Sequence, residues 1–110
     1  MAGVFMTATV SIGGGRVLVP HETYALYFGG AACAALIERD GQVLLLPLQG
    51  PVAGGMLLKQ RNRHGDRVML AMDFLAEHGS DAFAGEQSFP VRWVAEAGAL
   101  LIEGFGNPGV

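Results

Sequence analysis

Short apolar runs, broken by glycine and proline, dominate the first part of the chain. Residues 7–12 alternate small polar with apolar side chains, and residues 16–19 form a second run that Pro20 ends. Alternation of this kind, rich in β-branched residues, is typical of strands, and the three glycines between the runs permit a tight reversal. The pattern predicts a β-hairpin, followed by one or two turns of helix over residues 21–28.

A second apolar ribbon follows. Its arms, residues 31–38 and 42–46, flank Arg39-Asp40-Gly41, which contains the Asp-Gly dipeptide typical of hairpin turns. Both arms are almost wholly apolar, so both faces of this ribbon should be buried. In a small domain, this leads us to expect a partner chain on one face, and therefore a homodimer.

The second half of the chain, residues 56–105, predicts a βαββ unit. Glycines and prolines in residues 49–55 mark its boundary with the first half. Val68, Met72 and Leu75 recur at helical spacing, which predicts a helix over residues 67–78 with Asp66 as its N-cap. The other predicted elements of this half are a strand at 56–61, a turn at 62–66, a loop at 80–88 and a hairpin with arms at 89–95 and 99–105.

Together, the two halves predict one α+β domain over residues 1–110. It consists mainly of antiparallel β-hairpins, with one helix in the C-terminal half. The chain has 110 residues, of which 51% are hydrophobic and only 15% are charged. Apolar surface that charge does not cover is often covered by a partner, which also favours an oligomer.

Charge and cysteine content restrict the classes of function. The formal net charge of −3 argues against non-specific adhesion of the whole domain to nucleic acid or membrane. The single cysteine, Cys33, excludes an internal disulfide framework and suits a reducing compartment. The uncharged stretch 43–58 is too short and too interrupted by proline and glycine to span a membrane, and the N-terminus lacks the basic flank of a signal peptide. We expect a cytoplasmic protein.

Two motifs in the first half resemble those of AbrB-like DNA-binding modules (the SpoVT/AbrB and MraZ type). Over residues 7–48 the order is strand, Gly-Arg turn, apolar strand ending in proline, short helix and hairpin ending near another proline. The resemblance implies an AbrB-like ββ(α)ββ half, a dimer of interleaved (swapped) hairpins, and DNA-binding transcriptional regulation through arginines near the ribbon turns, here Arg16 and Arg39. The motifs that carry it are Gly15-Arg16-Val17-Leu18-Val19-Pro20 and Glu38-Arg39-Asp40-Gly41-Gln42-Val43-Leu44-Leu45-Leu46-Pro47.

The chain departs from the family where such modules usually offer cations. Residues 21–30 contain no lysine or arginine and carry Glu22, and residues 1–55 hold two cations against three carboxylates. Binding that depends on neutralising phosphates needs several lysines or arginines in one site. This departure disfavours DNA binding by the first half alone.

The best candidate for a binding surface lies in residues 59–67, which hold four of the seven cations of the chain. Arginine forks there can bind phosphates or the carboxylates of a partner. Alternatively, the segment is a solvated strand end and turn, with Asp66 pairing part of the charge. If the segment is a strand, the alternation of its side chains would put Lys59, Arg61 and Arg63 on one face. The four cations are Lys59, Arg61, Arg63 and Arg67.

No arrangement of residues predicts catalysis, a metal site or a cofactor. The three histidines and Cys33 lack the close spacing of zinc ligands, and Cys33 lies in an apolar run where a buried, inert thiol is expected. The sequence therefore predicts a non-catalytic binding protein rather than an enzyme. A DNA-binding regulator that uses Arg16, Arg39 and the cations of residues 59–67 is the first hypothesis. The alternative is an accessory or interaction subunit that binds a protein partner through its sheet.

Overall fold

Nine strands form one antiparallel sheet in a computed structural model that describes residues 8–50, 55–78 and 85–105. The β-hairpins predicted for the first half are present. The predicted boundary at 49–55 and the predicted loop at 80–88 lie largely outside the described residues. The strands are β1 (Thr9–Gly13), β2 (Arg16–Val19), β3 (Cys33–Arg39), β4 (Gln42–Leu48), β5 (Met56–Leu57), β6 (Lys59–Gln60), β7 (Arg67–Leu70), β8 (Gln87–Val94) and β9 (Ala99–Ile102).

The sheet closes on itself as a barrel. Its strand order is β5-β3-β4-β9-β8-β1-β2-β7-β6, and every neighbouring pair is antiparallel. The two outer strands of this order, β5 and β6, are separated in the chain by Leu58 alone. The single segment from Met56 to Gln60 therefore joins the two edges. Strands of the second half lie on both sides of each hairpin of the first half.

Alternate residues of each strand fill the interior of the barrel, because successive side chains of a strand point to opposite faces. Val17 illustrates the register: it lies between Ile12 of β1 and Met69 of β7, and all three are buried. Most of the main core comes from such inward positions, with Phe28 and Leu75 adding side chains from outside the strands.

The outward face of the β3–β4 ribbon is also apolar, but part of it is buried within one chain. Leu44 lies between Ile37 of β3 and Leu101 of β9. Leu44, Leu101 and Ala99 form a second buried cluster, whereas Ile37 remains 38% exposed. One chain therefore covers part of this face by itself, while Ile37 stays exposed and Ala35 and Leu46 are half-buried. The expectation of a partner chain on this ribbon stays a prediction.

Helix α1 (His21–Tyr27) follows β2 as expected and is held to the barrel by a buried threonine. The hydroxyl of Thr23 donates a hydrogen bond to the carbonyl oxygen of Thr9 at 2.7 Å. The Tyr24 hydroxyl donates to the carbonyl oxygen of Ala31 at 2.7 Å, which fixes the loop that leads into β3. The helix is thereby tied to the strand regions before and after it.

The prediction of one helix over residues 67–78 is wrong. Residues 67–70 form β7, and the helix α2 is limited to Met72–Glu77, with Ala71 at its N-cap position. Val68 pairs with Leu18 of β2 on one side and with Lys59 of β6 on the other, so ladder hydrogen bonds on both sides stabilise the extended chain. Asp66 does not cap this helix, because its carboxylate faces α1 instead.

The structure is thus an α+β fold dominated by antiparallel sheet, as predicted. None of the helices in the described residues is long and apolar enough to cross a membrane.

Candidate binding surface

The cation-rich segment forms β6, a turn and the first residue of β7, and we refer to residues 59–67 as the basic turn. The backbone N–H of Arg61 donates to the carbonyl oxygen of Asp66 at 2.7 Å, which closes the turn. The side-chain Oδ1 of Asn62 accepts hydrogen bonds from the backbone N–H groups of Gly65 at 3.1 Å and Asp66 at 3.3 Å. The turn is therefore ordered by its own backbone and by one asparagine.

Asp66 fixes the basic turn to α1. One carboxylate oxygen accepts from the backbone N–H of His21 at 2.8 Å, and the other accepts from Nδ2 of Asn62 at 3.0 Å. Pro20 occupies the N-cap position of α1 and offers no side-chain acceptor, so Asp66 supplies the acceptor from a distant loop. The hydrogen bond from Asn62, then the one from His21, holds the pKa of Asp66 below its ordinary value.

A second link joins the same two elements. Nε2 of His64 lies 3.7 Å from a carboxylate oxygen of Glu22, and the rings of His64 and His21 are 5.1 Å apart between centroids. Glu22 belongs to the first turn of α1, whereas His64 is in the basic turn. The basic turn and the start of α1 therefore form one polar unit at the surface.

The four cations of the basic turn have different surroundings. Nη1 of Arg61 lies 3.7 Å from a carboxylate oxygen of Glu86. Lys59 and Arg63 are exposed, and within the described residues neither has a carboxylate within 4.0 Å. Strand pairing ends at Gln60, so the alternation that would put Lys59, Arg61 and Arg63 on one face does not continue.

Arg67 turns away from the other cations, because it lies on the same face of β7 as the buried Met69. Its guanidinium carbon is 4.4 Å from the centre of the Tyr24 ring, a cation–π contact with α1. Its buried Nε has no hydrogen-bond partner among the described residues. Arg67 therefore packs against the helix rather than extending the exposed charge of the turn.

The other two predicted binding residues, Arg16 and Arg39, lie at hairpin turns. Arg16 is the first residue of β2 and pairs with Leu70, whereas the other end of β2, Val19, pairs with Arg67. Arg39 ends β3, and its Nη2 is 3.6 Å from a carboxylate oxygen of Glu96. The six predicted residues thus divide between the basic turn and two separate hairpin turns.

A feature that the sequence did not reveal lies at the other end of α1. The rings of Tyr27 and Trp93 stack with centroids 5.9 Å apart and planes 8° from parallel. Trp93 is 40% exposed and Leu26 is 65% exposed. Since a helix rises about 1.5 Å per residue, Tyr27 lies roughly 9 Å along α1 from His21. The sequence could not predict that Trp93 is exposed, because its environment depends on the contact between β8 and α1.

The described residues contain no group of three or more histidine, cysteine, aspartate or glutamate side chains placed to hold a metal ion. Cys33 is buried. What the surface offers chemically is cationic and aromatic contact: two exposed cations on an ordered turn at the start of α1, and the stacked pair of Tyr27 and Trp93 at the other end of that helix. No family model, curated protein or solved structure matches the chain.

Proposed function

We propose that this protein is a non-catalytic, DNA-binding regulator that contacts the phosphate backbone through the basic turn. The observation that carries the proposal is the exposure of Lys59 and Arg63 on a turn already fixed to α1 by Asp66 and Asn62. A ligand that binds a pre-ordered turn loses less affinity to conformational ordering. Contacts to phosphate position a protein on a duplex and do not require a base-reading element.

The AbrB-like part of the proposal concerns the two hairpin turns. In that arrangement, two chains would interleave their hairpins, and Arg16 and Arg39 would add contacts to DNA. Support comes from the position of each arginine beside a tight turn. Arg39 is a weaker candidate than Lys59 or Arg63, since Glu96 already lies beside it and partly offsets its charge.

An accessory subunit that binds a protein partner is the second candidate. It is favoured by the exposed Trp93, stacked on Tyr27 and close along α1 to Leu26. Tryptophan, tyrosine and arginine are the side chains that most often contribute binding energy at protein interfaces. An acidic partner would suit the basic turn at the other end of the helix.

Fluorescence anisotropy of a labelled, mixed-sequence duplex, titrated over a range of salt concentrations, tests the first candidate. We expect Lys59→Ala and Arg63→Ala each to weaken binding at all sequences. Each should also reduce the slope of log K against log salt by about one. Arg92→Ala is the matched control, because Arg92 is exposed on β8 and belongs to none of the three turns.

Two results would reject DNA binding by the basic turn. One is no binding at about 100 micromolar protein and low salt, the weak limit of usual non-specific affinity. The other is an equal loss for Arg63→Ala and Arg92→Ala. A loss confined to Arg39→Ala would instead assign DNA contact to the hairpin turns. A salt-insensitive complex with a protein would favour the accessory subunit.

A further inference from the structure

The strongest unassigned surface lies where β7 ends and α2 begins. Leu70 is 65% exposed, Met72 is 60% exposed and Leu57 is 56% exposed. We call these three side chains the apolar patch. The register of β6 with β7, extended by two residues, places Leu57 opposite Leu70 on the outward face. A pocket of about 100 Å³, lined in part by Met69 and Ala71, lies on the inward side of the same segment and is not part of the patch.

Opposite charges flank this patch. Arg16 is the cross-strand neighbour of Leu70, and Asp73 follows Met72 in the first turn of α2. The start of β2 and the start of α2 are joined directly, because the backbone N–H of Ala71 donates to the carbonyl oxygen of Gly15 at 2.9 Å. Arg16 and Asp73 are both exposed, and within the described residues neither forms an ion pair.

We propose that a second copy of this chain docks on the apolar patch in a two-fold symmetric dimer. In such a dimer, the same surface meets itself, so it must present both members of each complementary contact. This patch does so: it presents exposed apolar side chains that can pack against the same side chains of the second copy, and it carries a cation and a carboxylate that form no ion pair among the described residues. Leu70 of each copy packs against Leu57 and Met72 of the other, and Arg16 of each copy faces Asp73 of the other.

The proposal goes beyond DNA binding and does not depend on it. In this dimer Arg16 lies at the interface between the copies, so DNA contact falls to the basic turn and Arg39 and not to Arg16. The β3–β4 ribbon is the other apolar surface from which a dimer was expected, but Leu44 and Leu101 are already buried within one chain.

Lys59 borders the patch, because it pairs with Val68, two residues from Leu70 on the same face of β7. Residues 61–66 lie beyond Arg67 at the far end of β7, about 10 Å from Leu70. The dimer therefore carries this part of each basic turn, including Arg63, away from its interface.

Sedimentation equilibrium tests the dimer. The wild-type chain should sediment at twice the monomer mass at about 10 micromolar, and Leu70→Glu should sediment as a monomer. Leu70 points outward from the barrel, so the variant should keep the circular dichroism spectrum of the wild type. Ile37→Glu is the matched control, because it adds the same charge at an exposed apolar position of the ribbon and should leave the dimer intact.

A charge exchange tests the proposed pairing of the two copies. Arg16→Asp and Asp73→Arg should each weaken dimerisation about tenfold or more, since each places like charges opposite one another. The double variant should recover most of the wild-type affinity, because the pair is restored with its direction reversed. A monomeric wild type, dissociation by Ile37→Glu but not by Leu70→Glu, or a double variant weaker than both single variants would each overturn the proposal.

Discussion

The hydroxyl of Thr23 joins α1 to β1 where the β-ladder itself cannot. Extending the β1–β2 register would place Thr9 opposite Pro20, which has no N–H to donate. The Thr23 hydroxyl takes that place: it donates to the Thr9 carbonyl oxygen at 2.7 Å and accepts from the Thr9 N–H at 3.3 Å. Thr23 is only 1% exposed, so water does not replace these bonds easily.

Thr23→Val should therefore destabilise the protein by about 2–3 kcal/mol. Valine has nearly the shape of threonine, so the loss comes from two backbone groups of Thr9 left without partners. Both hydrogen bonds are only partly buried, so each group should cost near the low end of the roughly 1–3 kcal/mol for an unsatisfied buried group. Thr23→Ser is the matched variant, because it keeps the hydroxyl and removes one methyl. Loss of that methyl should cost about 1 kcal/mol.

Urea unfolding measures both variants, with the fluorescence of Trp93 as the probe. Trp93 is the only tryptophan and stacks on Tyr27 of α1, so its signal reports release of the helix. Circular dichroism at the same protein concentration follows the barrel. If Thr23→Val costs less than about 0.5 kcal/mol, or if the serine variant is the less stable of the two, the hydroxyl does not hold α1 to the barrel.

The remaining predictions concern a turn and a carboxylate. Gly41 has φ of 79° in the β3–β4 turn, so Gly41→Val should cost about 1–2 kcal/mol in thermal unfolding, whereas Gly50→Ala, in open space, should cost almost nothing. Equal costs would contradict the turn geometry. The lowered pKa of Asp66 gives stability that is full above the ordinary value of 3.8 and is lost as the pH falls through the folded-state pKa. Asp66→Asn should flatten that acid dependence in urea midpoints, and an unchanged acid dependence would show that Asp66 does not contribute.

Local sequence signals predicted the hairpins, whereas pairing with strands distant in the chain determines that residues 67–70 are extended and not helical. The Asp-Gly turn at Gly41 and the alternation in β1 are short-range features, and both appear as expected. The spacing of Val68, Met72 and Leu75 favours a helix when read alone. The chain is extended at Val68 because β2 and β6 lie on either side of it, and no window of the sequence contains all three strands.

The candidate site shows the same division. The concentration of cations in residues 59–67 is visible in the sequence, and the structure brings most of them to one turn. What the sequence does not show is the charge left available after folding. Glu86 reaches Arg61 and Glu96 reaches Arg39 from distant parts of the chain. Arg67 lies on the inward face of β7 because side chains alternate along a strand. The sequence pattern had predicted a helix at this residue.

The segment that closes the barrel forms the shortest strand pairings of the sheet. Met56–Leu57 pairs with Cys33–Ala34, and Lys59–Gln60 pairs with Arg67–Val68, so one stretch of five residues completes the sheet on both sides. A closed sheet has no free edges, but release of this stretch would uncover β3 and β7 together. Brief local opening there costs far less than global unfolding. The backbone amides of residues 56–60 should therefore exchange with solvent first. Under destabilising conditions, strands of other chains would pair with the edges of β3 and β7 that this opening exposes.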